Sequence, residues 1–591
     1  MGKASMSLRS AALAATAALV LAACGGGGDG GGDGGGAGSD DEAAAGKPTK
    51  GGTITFLTVQ EQFDHMDPQR VYTGEDLAFI GGYLTRTLTS YKLSSDDAEA
   101  NTLVADLATD TGTPNEDATS WQFTLKDGVT FEDGTPVTCE DVKYGVSRTY
   151  ATDVITDGPQ YAVAYLDVPK DKDGASVYKG PYVTKGSDTA AFDKAVTCEG
   201  NTITFNLAFP VPDFNYTVTL HSFAPVPQAA DTGEKYDDKI VSTGPYKIQE
   251  YSKGSKMILV RNDNWSPESD DYRGAYPDQI EVEFGVQPSV RDQRIIRESG
   301  EDANAALLGD SLDPSSLSTI FNDERYADRR VDVLDAYAYY YAVDSVEIPN
   351  VKHRQAIAAA LDRAQIIKVS GGDFAGEIGD GVIKPNLPQD YAESGLWTGL
   401  LGQEIPDNGD PEFAKQLIEE SGEPMPDVCF NYATPTRDKE AAVVKQSLEA
   451  AGIKVALKPL EAGQYYSIVF DPEKGCPLMW AGWGPDWPNA STVIPELFTP
   501  AGGFNLSRAD DKEFNAKVDE AKAETDREAQ SAMWKELNKE AMAMAWAIPT
   551  RFGRSQGIAG SNVRSASGEE GKVYFWGPFT SWPYADLYLE Q

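Results

Sequence analysis

The sequence predicts an α/β protein, and three observations support that class. A segment that alternates polar and apolar residues opens the chain at residues 51–57 and predicts a strand. Helical patterns dominate the later part of the chain, and the strand pattern at residues 453–458 directly follows one of them. The 591 residues are enough for two or three domains with complete cores.

Residues 120–150 form the most strongly patterned passage of the first half. Apolar side chains alternate along WQFTL, two Asp-Gly dipeptides follow, and Thr138 with Asp141 forms a capping box. The passage therefore predicts strand, turn, strand, turn and helix. Further strands are predicted at residues 201–207, 257–261 and 279–284.

The second half carries the clearest helical patterns. Apolar residues recur at helical spacing in residues 351–367, 439–451 and 511–545. Gly452 stands where a helix that ends near residue 451 needs a C-terminal stop.

Residues 480–487, WAGWGPDW, place three tryptophans around a single carboxylate, Asp486. Glycines remove packing surface and Pro485 removes a backbone donor, so a core strand fits this segment poorly. Rigid aromatic walls with one placed charge are typical of a pocket for a small charged ligand. The segment is therefore interpreted as a recognition loop.

The N-terminal segment has the features of an export signal. Two basic residues precede an apolar run at residues 11–23 that is too short to span a bilayer, which predicts a signal peptide over residues 1–23. Leu-Ala-Ala-Cys24 resembles the bacterial lipobox, so Cys24 is expected to carry a lipid rather than to lie buried in a helix. Residues 24–46 are then the lipidated cysteine and a Gly-rich tether with a reach of roughly 25 Å.

The charge and the histidine content argue against several functions. The formal net charge of −41 disfavours nucleic acid and anionic lipid surfaces as partners, and we interpret it as solubility of an exported protein. The chain has three histidines and neither a phosphate-binding loop nor a dinucleotide fingerprint, so no cofactor is expected. The sequence leaves general acid-base catalysis by paired carboxylates as an open alternative.

Residues 309–312 spell Gly-Asp-Ser-Leu, the serine motif of GDSL hydrolases. In that family a histidine follows an aspartate by three residues, but His65, His221 and His353 all lack that aspartate. Hydrolysis through Ser311 is therefore disfavoured.

Four cysteines remain after Cys24: Cys139, Cys198, Cys429 and Cys476. An even count outside the cytoplasm predicts two disulfides, for which three pairings are possible. We favour Cys139 with Cys198 and Cys429 with Cys476, because each pair then stays within one region. A metal site is the competing interpretation, but no CxxC or HxxxH spacing supports it.

Five passages together resemble the extracellular solute-binding proteins of ABC importers, family 5, which include dipeptide- and oligopeptide-binding proteins. They follow one another in the family's order and span nearly the whole chain from about residue 51. The passages are FTLKDGVTFEDGTPVTCEDV, STGPYKIQEYSKGSKMILVRNDNW, ALLGDSLD, VKHRQAIAAALDRAQI and WGPDWPNA.

The resemblance implies a two-lobed α/β fold like that of periplasmic binding proteins, class II type, with an extra subdomain inserted in the first lobe. Residues 337–341 and 547–549 would be the two crossings between the lobes. The implied boundaries are lobe I at 47–336 plus 548–591, the insert at about 65–200, and lobe II at 337–547.

The resemblance also implies a function without catalysis. The chain would be a monomeric, membrane-tethered lipoprotein outside the cytoplasm that captures dipeptides or oligopeptides between its lobes and delivers them to an ABC permease. The same family carries nickel chelates, haem, sugars and opines, and Pro485 and Trp487 differ from the residues usual in peptide binders. These other solutes, and a surface sensor without transport, stay open as alternatives.

The residues of the site follow from the resemblance position by position. Asp486 matches the aspartate that accepts a peptide's α-ammonium, and Arg437 lies where an arginine is expected to hold the carboxylate. Trp483 and Trp487 would form aromatic walls, and Tyr72 the opposite wall. A local cap for Asp486 and a solvated helix start for Arg437 are the structural alternatives.

Overall fold

A computed structural model describes residues 48–309, 311–461 and 464–590. The predicted signal peptide, Cys24 and the tether up to residue 46 lie outside the described residues. Within those three ranges, no helix has both the length and the apolar character that a membrane span requires.

The strands of the described residues lie in five sheets. In chain order they are β1 (Thr53–Leu57), β2 (Thr89–Tyr91), β3 (Leu103–Ala105), β4 (Thr113–Pro114), β5 (Ser120–Thr124), β6 (Val196–Glu199), β7 (Thr202–Asn206), β8 (Tyr246–Ser252), β9 (Lys256–Arg261), β10 (Gln279–Glu283), β11 (Ala305–Leu307), β12 (Arg330–Val343), β13 (Gly376–Glu377), β14 (Val428–Thr434), β15 (Val455–Glu461), β16 (Leu478–Trp483), β17 (Ala547–Ile558), β18 (Val563–Ser565) and β19 (Leu587–Leu589).

The α-helices pack on these sheets or connect them. They are α1 (Gly74–Tyr83), α2 (Asp97–Ala100), α3 (Cys139–Arg148), α4 (Tyr161–Tyr165), α5 (Thr189–Ala195), α6 (Phe214–Thr217), α7 (Pro288–Arg297), α8 (Pro314–Phe321), α9 (Val351–Ala360), α10 (Arg363–Ser370), α11 (Pro411–Ser421), α12 (Asp438–Ala450), α13 (Tyr465–Val469), α14 (Ile494–Phe498), α15 (Lys512–Ala523) and α16 (Arg527–Ala543).

Two mixed sheets carry the architecture. The first has the order β11-β1-β10-β9-β8, with β1 parallel to both of its neighbours and the β8-β9-β10 side antiparallel. The second has the order β13-β17-β12-β16-β14-β15, in which β14 runs parallel to β15 and β16. Helices layered on mixed sheets confirm the predicted α/β class.

Strands β12 and β17 connect two separate hydrophobic cores. One core is built by the first sheet and includes Val331 near the start of β12. The other draws its residues from 340–548 and includes the end of β12. The β12–β17 pairing is antiparallel and is interrupted by a register shift between Leu334 and Ala338, which lies between the two cores.

Lys384 fills the gap that this interruption leaves. Its buried ammonium contacts the Asp335 carboxylate at 2.8 Å and the carbonyl oxygens of Tyr337 and Gly553 at 3.0 and 3.3 Å, and it also binds the Asp335 carbonyl. Burial lowers the pKa of Lys384, and the contact with Asp335 opposes that change. The lysine thus satisfies backbone acceptors that the broken ladder leaves unpaired.

A smaller unit is inserted into the part of the chain that builds the first sheet. Strands β4-β5-β7-β6 form an antiparallel sheet under α3, around a core of its own. Cys139 and Cys198 lie within it with their Cα atoms 5.9 Å apart, and the Cα atoms of Cys429 and Cys476 are 5.2 Å apart. Both pairs are bonded as the sequence favoured.

Capping residues and a glycine determine where these helices begin and end, and apolar periodicity alone did not predict all of these positions. The capping box of Thr138 and Asp141 begins α3 as predicted, and Gly452, with φ +80°, follows α12. The helix predicted over residues 351–367 is instead two helices, because Asp362 caps a new one, α10, through the Gln365 N–H. Asp526 likewise starts α16 and divides the helix predicted over residues 511–545.

We expect Lys384→Met to destabilise the protein by about 3 kcal/mol or more, because it leaves a buried carboxylate and several carbonyl groups without their cation. The shift in the urea unfolding midpoint measures this. Lys172→Met is the control, since Lys172 pairs with Asp173 at the surface and its loss is expected to cost no more than about 0.5 kcal/mol. Equal midpoints for the two variants would contradict the role given to Lys384.

Candidate functional site

A cavity of about 320 Å³ lies between the two cores, beside the interruption of β12. It is bounded by aromatic rings, by carboxylates and by one arginine, all brought together from distant parts of the chain. The lining residues are Tyr72, Gly74, Glu75, Leu77, Leu220, Ser311, Asp335, Ala336, Tyr337, Tyr339, Gly484, Pro485, Asp486, Arg554, Ser555, Pro578, Phe579 and Thr580.

Two tyrosines, Tyr72 and Tyr161, hold Asp486 at one wall of this cavity. The Tyr72 hydroxyl donates to its carboxylate at 2.7 Å, and the Tyr161 hydroxyl donates to the other carboxylate oxygen. Burial raises the pKa of Asp486 to about 6, with the nearby charge of Glu496 adding to the effect, while the two tyrosine hydrogen bonds oppose it. The sequence predicted Asp486 and Tyr72 on opposite walls, and the structure joins them directly.

The segment WAGWGPDW is only partly a loop. Residues up to Trp483 complete β16, so the expectation that a strand fits this segment poorly is wrong for its first half. Gly482 makes the strand possible here, because a Cβ atom at that position would lie 2.8 Å from the ring of Tyr339. The Trp483 indole donates to the Thr492 carbonyl at 2.8 Å, which fixes the turn that carries Asp486.

Trp487 is buried away from the cavity lining. Its ring packs against Tyr161 with centroids 4.8 Å apart, and its indole donates to Asp213 at 2.8 Å. The Ser491 hydroxyl donates to the same Asp213 oxygen at 2.6 Å. Asp213 therefore anchors the segment after Asp486 to the inserted unit.

Arg437 lies beside aromatic residues and is not among the residues that line the cavity. It precedes α12, and its guanidinium stacks on Trp480 at 4.3 Å and lies 5.7 Å from the ring centre of Tyr339. Its nearest carboxylate is Glu440 at 3.4 Å. Arg551 covers Tyr339 at 4.2 Å. These two arginines support the aromatic wall and are not among the lining residues.

Among the described residues that line the cavity, Arg554 alone has a cationic side chain. Its Nε donates to the Asp332 carboxylate and its Nη2 to the Asp332 carbonyl, both at 2.9 Å. Sequence reasoning missed Arg554, Tyr161 and Asp213. The spacing of Tyr161 and Tyr165 by one helical turn was a usable signal, but nothing local distinguished Arg554.

Ser311 also lines the cavity, without a histidine beside it. His65 binds Asp237 at 2.9 Å, and His353 binds Ser421 at 2.8 Å, while His221 is buried against α1. No catalytic triad therefore forms around Ser311 in the described residues. Within the same ranges, no group of three or more His, Cys, Asp or Glu side chains could hold a metal ion.

Residues 102–505 match the family model of bacterial extracellular solute-binding proteins, family 5, middle region. The chain belongs to this family. A family 5 protein is a solute-binding protein rather than an enzyme, in agreement with the sequence prediction.

Relatives and solved structures agree with this membership. The oligopeptide-binding protein OppA of Bacillus subtilis is 23% identical over 438 residues, which cover 71% of this chain and 74% of the relative. The dipeptide-binding protein DppE of the same organism is 21% identical over 461 residues, covering 74% and 77%. The solved clavulanic acid biosynthesis oligopeptide binding protein 2 has a TM-score of 0.80 and 25% identity, and covers 93% of this chain and 98% of its own. This likeness confirms the two-lobed solute-binding fold.

We expect Asp213→Ala to favour a more open form of the solute-free protein. The change removes the two hydrogen bonds that join the segment after Asp486 to the inserted unit, each worth about 1 kcal/mol, so the ratio of closed to open molecules should fall about tenfold or more. Small-angle X-ray scattering would then give a larger radius of gyration. Asp153→Ala, on the surface of the same part of the chain, is the control. Equal radii for both variants would show that Asp213 does not hold the cleft closed.

Proposed function

We propose that this family 5 protein captures short peptides in the cavity between its cores and delivers them to an ABC permease. The observation that carries the proposal is Asp486, a half-buried carboxylate presented to a cavity with aromatic walls. The names of the relatives, which are oligopeptide- and dipeptide-binding proteins, support the solute class.

Asp486 would bind the α-ammonium of the peptide. A charge-assisted hydrogen bond is strengthened when closure removes water from the site. The hydroxyls of Tyr72 and Tyr161 already point at this carboxylate and keep its orientation fixed. The ammonium would therefore meet an acceptor that needs no rearrangement of its own side chain.

The cavity volume favours short peptides. About 320 Å³ is at the lower end of the range for ligand pockets, roughly 300–1,000 Å³. Tyr337, Tyr339 and Phe579 supply apolar surface on which side chains of different kinds could pack.

We propose the lobes and their motion as the family resemblance implies them, with lobe I at 47–336 plus 548–591 and lobe II at 337–547. The predicted crossing at 337–341 begins within two residues of the Asp335–Lys384 contact. A break in a ladder is a place where a strand pair can bend without loss of regular hydrogen bonds elsewhere. Closure of the lobes by a hinge at this break would present both outer faces to the permease.

The remaining steps rest on the sequence and on the family's extracellular role. A lipid on Cys24 would hold the protein, as a monomer, at the outer face of the membrane, and the Gly-rich segment up to residue 46 would let it reach the permease. The energy for transport would come from a separate ATPase.

Asp486→Asn should remove most of the stabilisation by peptides, because the side chain loses its charge. The amide oxygen can still accept from one tyrosine hydroxyl, and the amide NH2 group can donate to the oxygen of the other, so the size and position of the side chain are preserved. In the wild type, a dipeptide at 100 times its dissociation constant should add ~2.7 kcal/mol and raise the thermal midpoint. Acetylation of the peptide amine should remove the rise in the same way, whereas Asp153→Asn should leave it intact. A rise that persists in Asp486→Asn would refute peptide capture through Asp486.

The affinity for a dipeptide should weaken about tenfold between pH 7 and pH 5. With the pKa of Asp486 at about 6, the carboxylate is mostly ionised at pH 7 and mostly protonated at pH 5, and only the ionised form pairs with the ammonium. Titration calorimetry at several pH values measures the slope. Asp486→Asn should bind weakly and without this slope, and an unchanged slope in that variant would assign the titration to another group.

A further inference from the structure

We propose that Arg554, rather than Arg437, binds the carboxylate of the solute, so that the site selects short zwitterions with a free ammonium and a free carboxylate. The inference rests on the proposed function, because it takes Asp486 as the partner of the ammonium. It assigns the second anchor of the solute to β17 instead of to the start of α12.

The first support is the position of the guanidinium. Arg554 lines the cavity, together with its neighbour Ser555 and with Ser311 and Thr580 from other segments. Its side chain is 27% exposed, so it is accessible from the cavity and yet partly shielded from bulk water. A guanidinium in such a place binds a carboxylate more strongly than one at the open surface.

The second support is that the guanidinium is already oriented. Asp332 takes one N–H from Nε through its carboxylate and one from Nη2 through its carbonyl. Gln556 donates to the same Asp332 carboxylate at 2.9 Å, which fixes the aspartate in turn. A guanidinium has five N–H groups, so three of them have no partner in the described part of the chain and remain for a solute. A preorganised fork loses little entropy when it binds a carboxylate.

The third support is that Arg437 and Arg551, the two competing arginines, pack against the aromatic residues Trp480 and Tyr339. Arg437 stacks on Trp480 and pairs with Glu440, and Arg551 lies on Tyr339, 3.9 Å from that same Glu440. Neither lines the cavity. Both guanidinium groups lie near the ring of Tyr339, which itself lines the cavity.

The charges around the cavity complete the argument. The Asp335 carboxylate is balanced by the Lys384 ammonium at 2.8 Å, so it offers little net charge to a solute. Asp486 and Glu75 provide negative groups on the wall, and Arg554 provides the positive group among the described lining residues. A solute that carries an ammonium and a carboxylate meets both, whereas a solute with one charge leaves the other group unpaired in a partly dry site.

The test compares Ala-Ala and Ala-Ala-Ala with their C-terminal amides by titration calorimetry. The wild type should bind the free acids about tenfold or more tightly than the amides, since a hydrogen bond to a charged group is lost. In Arg554→Met this preference should fall below about threefold. In Arg437→Met the affinity for both solutes should fall alike, because the wall is weakened but the acid-over-amide preference remains.

Arg325→Met is the matched control, because Arg325 makes a similar ion pair with Asp323 at the surface and is not among the residues that line the cavity. The acid-over-amide ratio is measured within each variant, so a general loss of stability does not imitate the result. If Arg554→Met fails to fold, Arg554→Lys, which keeps the charge but lacks the fork, should show a reduced preference.

The outcomes separate the two levels of the proposal. If the preference is lost in Arg437→Met and kept in Arg554→Met, the assignment of Arg554 is overturned while peptide capture stands. If the wild type binds acids and amides equally, no arginine reads the carboxylate and the zwitterion selection is overturned. If the wild type binds no peptide at all, the proposed function itself fails.

Discussion

The antiparallel pair of β12 and β17 is the constraint on which the rest of the structure depends. These two strands pass from one hydrophobic core to the other, and their ladder is broken between Leu334 and Ala338. The buried ammonium of Lys384 binds the acceptors at this break. The cavity lies beside it, and Asp335, Ala336 and Tyr337 form part of the lining. The same irregularity thus joins the cores and leaves room for a solute between them.

Two kinds of charged side chain can be distinguished by whether their hydrogen-bonding groups are all paired within the protein. Arg86, Asp106 and Arg273 form a fully buried network in the first core, in which Asp106 accepts from both arginines at 2.8 Å. Burial opposes ionisation there, but the two guanidinium groups outweigh it and hold the pKa of Asp106 well below its usual range. This network has the completeness that a structural role requires, because a buried charge without partners is costly.

Two charges at the cavity, those of Asp486 and Arg554, are different because each keeps capacity for a further partner. Asp486 accepts from two neutral hydroxyls. No cation among the described residues forms an ion pair with it, in agreement with the upward direction of its pKa shift. Arg554 uses two of its five N–H groups on Asp332. A binding site needs this incomplete pairing, since a fully satisfied group gains little from a solute. The difference between the two groups separates residues that fix the fold from residues that can recognise a ligand.

The sequence by itself determined the α/β class, the capping of α3, the two disulfides and, through motifs in the family's order, the family. These follow from short-range periodicity, capping and turn chemistry, from the even number of cysteines with pairs kept within one region, or from patterns that the family shares. Only the tertiary structure decided that Tyr161 binds Asp486 from 325 residues away and that Asp213 binds Trp487 from 274 residues away. It also decided that Arg554 lines the cavity while Arg437 does not. Such contacts depend on strand register and on how two cores meet, and no local pattern encodes either of these.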